Sequence, residues 1–345
     1  MLNLFKQILT DDQILKITSC AVKDRQHPVA SLLEKPDAGN YSYYNTAMSI
    51  GKVLQKDMPW AMSKAPSLAE TDDFSSPSST LGEIRTYGYL LDAGFDVKPV
   101  PTSKKPTPDF IITGPLGDKI EIEVNARQYT KAESDALKDF KNSPTLISPG
   151  ERVGFKVISI TPFGKPKSGE NVSENVISKI AAIKQNDAQL SGNQPSVLWL
   201  DFQDELWSMG FSADSANPIR TFNGNFYAGE IWYALYGKKG LPIFEQHTLE
   251  VRAIMSSVLM KHDGRFTGGT KIDACIITFP KDTLVFENPY STNKIPSWFY
   301  ENMALIRGFD VSRSWLDWPQ GSLLSRVNLE VQRIEFLQSR GMYSW

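Results

Sequence analysis

The sequence predicts a mixed α/β fold, in which helices flank a β-sheet, from two hydrophobic patterns. Apolar residues recur at helical spacing in residues 80–95 and 173–190, which is typical of amphipathic helices. The run PSVLWLDF (195–202) is mostly apolar, as in a strand that is buried on both faces. In chain order the middle of the sequence reads helix, three strands, helix, strand, which indicates an α/β or α+β architecture.

The first 75 residues are predicted to form a helical N-terminal region. The segment DDQILKITSCAV (11–22) has apolar residues at helical spacing behind an Asp pair suited to capping, and a second helix is expected at 45–54. The polar stretch AETDDFSSPSST (69–80) predicts a linker or loop before the next helix.

The core is predicted to span residues 79–290. The helix at 80–95 ends near Gly94, a suitable C-cap residue, and FDVKPVP follows as a short strand. A β-hairpin is then expected, with strands at 109–113 and 119–126 around the turn GPLGD. The expected order continues with a helix at 173–190 and strands at 195–202 and 271–279, with an aromatic-rich insertion at about 203–252. The segment TLVFENP is expected to end in a turn, and residues 291–345 are expected to form a mostly helical tail, clearest at 323–337.

Composition sets limits on the class of protein. The net charge of −2 and the pI near 6.0 argue against a protein that coats long nucleic acid, although a nuclease needs only a positive groove. Two cysteines are too few for a disulfide framework, so a cytoplasmic location is expected. The three histidines fit no zinc-ligand spacing, and no stretch has the length and apolarity of a membrane span.

The hairpin brings acidic residues together. In the strand KIEIEVNAR, one face is predicted to carry the polar residues and the other the apolar ones, because side chains alternate along a strand. The polar face holds Lys119, Glu121, Glu123, Asn125 and Arg127. Asp109 opens the partner strand and Glu83 lies on the preceding helix. Two or three converging carboxylates are what a Mg²⁺ ion needs in phosphodiester hydrolysis.

This combination of a helix Glu, then PDF, then E-V-x at the end of the next strand resembles the PD-(D/E)xK nuclease superfamily. Pro108 and Asp109 match the "PD", and Glu123 matches the "(D/E)". Glu83 matches the helix acid that many members add. The resemblance is close over residues 80–128 and looser as far as 202. It implies a restriction-endonuclease-like fold and a Mg²⁺-dependent nuclease, with Mn²⁺ as a possible substitute.

The resemblance implies metal ligation by Asp109, Glu123 and Glu83, but Asn125 stands where the superfamily has its lysine. Three explanations remain open at this point. The cation comes from elsewhere, on Arg127 or on the later helix; or Asn125 is tolerated because the metal carries most of the catalysis; or the site is inactive. The polar residues of the later helix that are candidates to face the site are Lys179, Lys184 and Gln185.

Each piece also has a simpler structural interpretation. Glu83 stands three residues after Thr80, which would make a capping box. Pro108-Asp109 is ordinary turn chemistry, and alternating Lys and Glu is typical of a solvated strand face. The aromatic run 222–244 either stacks nucleic-acid bases beside a basic turn or forms a buried helix, and the buried helix is favoured. The residues concerned are Trp232, Tyr233, Tyr236, Lys238 and Lys239.

The sequence therefore predicts a Mg²⁺-dependent DNA endonuclease, of a kind used in restriction or phage defence. The predicted site consists of Glu83, Asp109, Glu123, Asn125, Arg127 and Lys184. DNA is the expected partner, a homodimer or a protein partner is a further possibility, and no membrane partner is expected. The alternatives are a catalytically inactive protein of the same fold that binds nucleic acid or protein, and an unrelated protein with a coincidental hairpin.

Overall fold

The computed structural model describes residues 1–22, 25–33, 41–101, 106–127, 166–184, 187–203, 225–243 and 258–306, with shorter pieces at 139, 146–147, 154–155, 163–164, 213–217, 219–222, 245–246 and 308–309. The described helices are α1 Leu2–Phe5, α2 Asp11–Ser19, α3 Ala30–Leu33, α4 Tyr41–Ser63, α5 Ala65–Leu68, α6 Ser75–Asp92, α7 Val172–Ala181, α8 Glu230–Tyr236 and α9 Ser297–Met303.

The described strands are β1 Ala21–Val22, β2 Arg25–Gln26, β3 Asp96–Pro99, β4 Phe110–Thr113, β5 Lys119–Ala126, β6 Leu146–Ile147, β7 Gly154–Phe155, β8 Ser196–Asp201, β9 Ile219–Phe222, β10 Asn225–Ala228, β11 Pro242–Ile243, β12 Glu245–Gln246, β13 Val258–Leu259, β14 Ala274–Thr278 and β15 Thr283–Glu287. Six of them form the main sheet, in the order β15-β14-β8-β5-β4-β3.

The main sheet is mixed, and the predicted α/β class is confirmed. Strands β5, β8 and β14 run parallel at its centre, while β3, β4 and β15 add antiparallel edges. The start of β4 lies beside the carboxyl end of β5, because these two strands are antiparallel neighbours. Ligands of such sheets generally bind outside the carboxyl ends of the parallel strands.

A separate hydrophobic core covers each face of the sheet. Ile120, Ile122 and Val124 of β5 point into one core, which the N-terminal helices, α6 and α9 share. The other core is built by α7 and α8 over the opposite faces of β8, β14 and β15. The odd-numbered residues of β5, including Glu123, point toward this second layer because side chains alternate across the sheet.

The structure corrects several expectations in the N-terminal half. The helix predicted at 80–95 begins at Ser75, so residues 75–80 are helical rather than part of a linker. Thr80 therefore lies inside α6, and the capping box between Thr80 and Glu83 is wrong. The helix predicted at 45–54 extends over Tyr41–Ser63, with a kink at Asp57 before Pro59.

The later elements differ mainly in their ends. Helix α7 begins at Val172, with Asn171 as its N-cap, and ends at Ala181 instead of reaching residue 190. The segment TLVFENP forms strand β15 as far as Glu287 and ends in a turn at 289–290, as expected. In the tail, α9 is helical, whereas the helix predicted at 323–337 lies outside the described residues. No helix within the described ranges is both long and apolar enough to cross a membrane.

Helices α4 and α6 pack so closely that a glycine is required between them. A Cβ atom on Gly88 of α6 would lie 2.3 Å from the Cα of Ser49 in α4, closer than van der Waals contact allows. We expect Gly88→Ala to lower the free energy of unfolding by about 1–3 kcal/mol, because the helices must separate. Urea denaturation measures this change.

The matched control is Gly51→Ala on α4, where a Cβ would meet nothing within 4 Å. This variant is expected to stabilise the protein by about 0.5–1 kcal/mol, since alanine favours the helix. Equal effects of the two substitutions would contradict the close packing of α4 on α6.

Candidate active site at the β4–β5 edge

Asp109 and Glu123 lie opposite each other on neighbouring strands. The pairing of Phe110 with Ile122 continues by one step to place Asp109 across from Glu123. The backbone N–H of Val124 donates a 2.7 Å hydrogen bond to Oδ2 of Asp109. This bond fixes the Asp109 carboxylate beside the strand that carries Glu123.

Both carboxyl groups are harder to ionise than usual. Burial raises the pKa of Asp109 to about 6, against the opposing effect of the hydrogen bond from Val124. Burial and the neighbouring charge of Asp109 raise the pKa of Glu123 to about 7. The Glu123 side chain is only 2% exposed, and no hydrogen-bond donor among the described residues reaches its Oε2 atom. Buried acceptors of this kind mark sites that bind a cation or a proton.

Lys184 supplies a positive charge to this pair. Its Nζ atom lies 2.5 Å from Oε1 of Glu123 and donates a 2.8 Å hydrogen bond to Oε1 of Gln189. The Nε2 group of Gln189 donates to the carbonyl of Thr107, two residues before Asp109. Lys184 is therefore held between Glu123 and the chain that leads into β4.

The prediction that Lys184 lies on a helix is wrong, because the residue lies in the turn after α7. Its backbone has a φ of 51°, a left-handed conformation that costs a non-glycine residue about 1 kcal/mol or more. The buried Arg265 stabilises this turn by donating to the carbonyls of Ala181, Ile183 and Lys184 and by pairing with Asp187 at 2.5 Å. The strained turn thus aims the Lys184 side chain at β5.

Glu83 approaches the same edge from α6. A Cβ atom on Gly82 would lie 2.5 Å from the Cβ of Ala126, so α6 lies directly against the end of β5. The charge of Glu83 contributes to the raised pKa values of both Asp109 and Glu123. Glu83 itself pairs with Lys64, whose Nζ lies 2.5 Å from its Oε2 atom.

The other predicted polar residues are placed differently. Asn125 is half-buried and makes no side-chain hydrogen bond with any residue that the structure describes. The guanidinium of Arg127 lies 3.9 Å from the ring centre of Phe163. Lys179 is exposed on α7, and Gln185 lies outside the described residues.

The solvated-face interpretation of β5 is wrong for its two glutamates. Glu121 is buried and accepts a 2.7 Å hydrogen bond from the backbone N–H of Ser191, which gives it a structural role. In the aromatic insertion, the side chains of Trp232, Tyr233 and Tyr236 are buried in the core of α7 and α8. The favoured buried-helix interpretation is therefore confirmed, and these rings are not available to stack on bases.

The carboxylate oxygens of the site suit a hard divalent cation, although three such groups do not converge on one point. Asp109 and Glu123 offer carboxylate oxygens, which Mg²⁺ prefers, and no described residue donates a hydrogen bond to Oε2 of Glu123. Across the described part of the chain, no three His, Cys, Asp or Glu side chains lie close enough together to hold an ion. Asp109 and Glu123 are thus the fitting pair, and Glu83 would have to turn away from Lys64 to join them.

Three residues of the site have no signal in the sequence. Lys64 lies in the turn between α4 and α5, and Arg265 and Gln189 act from loops far along the chain. Each is placed by tertiary packing rather than by a local motif. A search for a lysine in the motif position cannot find Lys64 or Lys184, because both come from other elements.

Comparisons of the chain with models of protein families, with curated proteins and with solved structures found no match.

The two carboxyl groups predict an unusual dependence of stability on pH. Their folded pKa values of about 6 and about 7 exceed the unfolded values. At a pH between the unfolded and the folded values, the folded state therefore binds more protons than the unfolded state. The contribution of these two groups to the free energy of unfolding is fully present below about pH 4, and it is lost as the pH rises through about 7. Between pH 5 and 7.5 we expect this pair to cost about 1–3 kcal/mol, measured by urea denaturation.

The double variant Asp109→Asn/Glu123→Gln removes both titrating groups and should flatten this part of the profile. The variant Asp92→Asn, on the exposed end of α6, is the control and should keep it. Identical profiles for wild type and the double variant would contradict the raised pKa values.

Proposed function

We propose that the protein is a divalent-cation-dependent phosphodiesterase that cuts DNA. The observation that carries the proposal is the pair formed by Asp109 and Glu123, opposite each other at the carboxyl edge of the sheet, with Lys184 against Glu123. Paired carboxylates with a neighbouring cation suit phosphodiester hydrolysis. The order of elements around them supports the proposed kinship with the PD-(D/E)xK superfamily.

Asp109 and Glu123 would hold the Mg²⁺ or Mn²⁺ ion, with Glu83 as a third or water-mediated ligand. When bound, such an ion polarises the phosphate and favours ionisation of water. The backbone N–H of Val124 donates a hydrogen bond to Oδ2 of Asp109, so Oδ1 would be the oxygen available to the ion. The buried position of Glu123 strengthens its attraction for a cation, because little water screens the charge.

Lys184 takes the part that the missing motif lysine would play. Its ammonium group lies beside Glu123, where negative charge grows on the phosphate oxygens during hydrolysis. Asn125 lies two residues after Glu123 on the same face and can donate from its amide to a water or a phosphate oxygen. Arg127 adds a further positive charge at the end of β5.

DNA is the proposed substrate, and restriction or phage defence is the proposed setting, on the strength of the superfamily resemblance. The slightly negative net charge fits an enzyme that binds DNA at a local groove rather than over its whole surface.

A cleavage assay tests the proposal directly. Supercoiled plasmid, linear duplex and single-stranded DNA are incubated with the protein and Mg²⁺ or Mn²⁺. We expect Asp109→Asn and Glu123→Gln each to lower the cleavage rate by about a hundredfold or more, because the ion loses a ligand. Asp92→Asn, a carboxylate on α6 outside the site, should cut like wild type.

Absence of cleavage by wild type on all three substrates would contradict the proposal. That result would favour the alternative, a protein of the same fold that binds nucleic acid or a protein partner without cleaving.

A lysine transplant tests the role given to Lys184. Lys184→Met should lower the cleavage rate by about tenfold to a hundredfold, since it removes charge stabilisation from the transition state. Adding Asn125→Lys to this variant returns an ammonium group to the same strand face and should recover part of the rate. If Lys184→Met cuts at the wild-type rate, or if Asn125→Lys recovers nothing, Lys184 does not replace the motif lysine.

A further inference from the structure

Two lysines form ion pairs with carboxylates of the candidate site. Lys184 lies 2.5 Å from Glu123, and Lys64 lies 2.5 Å from Glu83. The carboxylates are the shielded partners, since the Glu123 side chain is 2% exposed and the Glu83 side chain 19%, whereas the Lys184 side chain is 36% exposed and that of Lys64 23%. The positive charges of both lysines also act on Asp109, where they oppose the effect of burial on its pKa.

Each of these lysines also has a second partner that carries no charge. The ammonium of Lys64 lies 4.8 Å from the ring centre of Trp60, within cation–π range. The ammonium of Lys184 donates to the amide oxygen of Gln189 at 2.8 Å. If the carboxylates turned toward another cation, the ring and the amide would keep both ammonium groups at the site.

The two lysines reach the same place from opposite layers of the fold. Lys64 follows α4 in the layer shared with α6, and Lys184 follows α7 in the other layer. Trp60 is itself fixed by an edge-on contact with Tyr87, whose ring centre is 5.0 Å away. Gln189 is fixed by Thr107, next to the start of β4. Each of these second partners therefore has a contact of its own that holds it beside the lysine.

We propose that Lys64 and Lys184 are exchangeable counter-ions. In the resting protein they neutralise Glu83 and Glu123, and when a divalent cation takes these carboxylates the two ammonium groups pass to a phosphate of the substrate. This inference rests on the proposed function and deepens it by making substrate binding depend on the cation. It assigns Lys64, outside any motif, to the phosphate-binding part of the site.

The exchange predicts opposite effects on two ligands. An ammonium group that holds a carboxylate competes with the divalent cation for it, so its removal favours cation binding. The same removal costs the site a phosphate contact, but only once the cation has released the lysine. Binding of cation and phosphate is then positively coupled through the lysines.

The first measurement is Mn²⁺ binding to the full chain by isothermal titration calorimetry. We expect Lys64→Met and Lys184→Met each to tighten Mn²⁺ binding by about threefold to tenfold, the scale of a partly buried ion pair. The matched control is Lys52→Met, because Lys52 on α4 pairs with Asp92 on α6 at 2.8 Å, outside the site. It should change the affinity by less than about twofold.

The second measurement is binding of deoxythymidine 5′-monophosphate with and without Mn²⁺. Without Mn²⁺, wild type and both lysine variants should bind the nucleotide equally weakly. With Mn²⁺, the wild type and Lys52→Met should gain affinity, and the two lysine variants should gain about threefold to tenfold less.

The outcomes separate this inference from the proposed function. If Glu123→Gln abolishes Mn²⁺ binding but Lys64→Met and Lys184→Met leave it unchanged or weaker, the site holds a cation and the exchange is overturned. Equal losses of nucleotide binding with and without Mn²⁺ in the lysine variants also overturn the exchange. If wild type binds no Mn²⁺ at all, the proposed function falls as well.

Discussion

The candidate site depends on the burial of two facing carboxyl groups, Asp109 and Glu123, at the edge where β4 begins and β5 ends. Loss of hydration on burial raises the pKa of both groups, and the charge of Asp109 raises that of Glu123 further. A fold keeps such an arrangement only if other groups offset the cost. Here the offset comes from the Val124 amide and the Lys184 ammonium, and a bound cation would add to it.

The rest of the fold serves to hold these charges in position. Glycine at position 82 lets α6 touch β5, which brings Glu83 to the edge from one layer. In the other layer, Arg265 ties down a left-handed turn and thereby directs Lys184 toward Glu123. Strain in a non-glycine backbone is kept where a particular side-chain direction is needed, and this turn is such a place.

The sequence predicted the elements whose signals are local. Alternation along β5 and the apolar run of β8 locate both strands, and the turn GPLGD locates the hairpin between β4 and β5. The start of α6 is not predictable from the sequence, because Ser and Pro at 75–78 are typical of loops but are also tolerated in the first turn of a helix. Burial of Glu121 and Glu123 was not predictable from alternation, which reports the face but not what covers it.

Residues that act from distant parts of the chain were the least predictable. The sequence predicts Lys184 as a candidate on a helix, but that helix ends three residues earlier, at Ala181. Lys64 and Arg265 reach the site only through packing of α4 and of the loop after β13. No local pattern marks them, since isolated basic residues are by default surface charges.

The most direct test of the account is the position of a bound cation. In a crystal soaked with Mn²⁺, an anomalous difference map should show one peak at about 2.1–2.2 Å from carboxylate oxygens of both Asp109 and Glu123, the distance typical of such ligands. The ammonium of Lys184 should then have left Glu123. A map with no peak at this edge, or a peak that only one of the two carboxylates contacts, would contradict it.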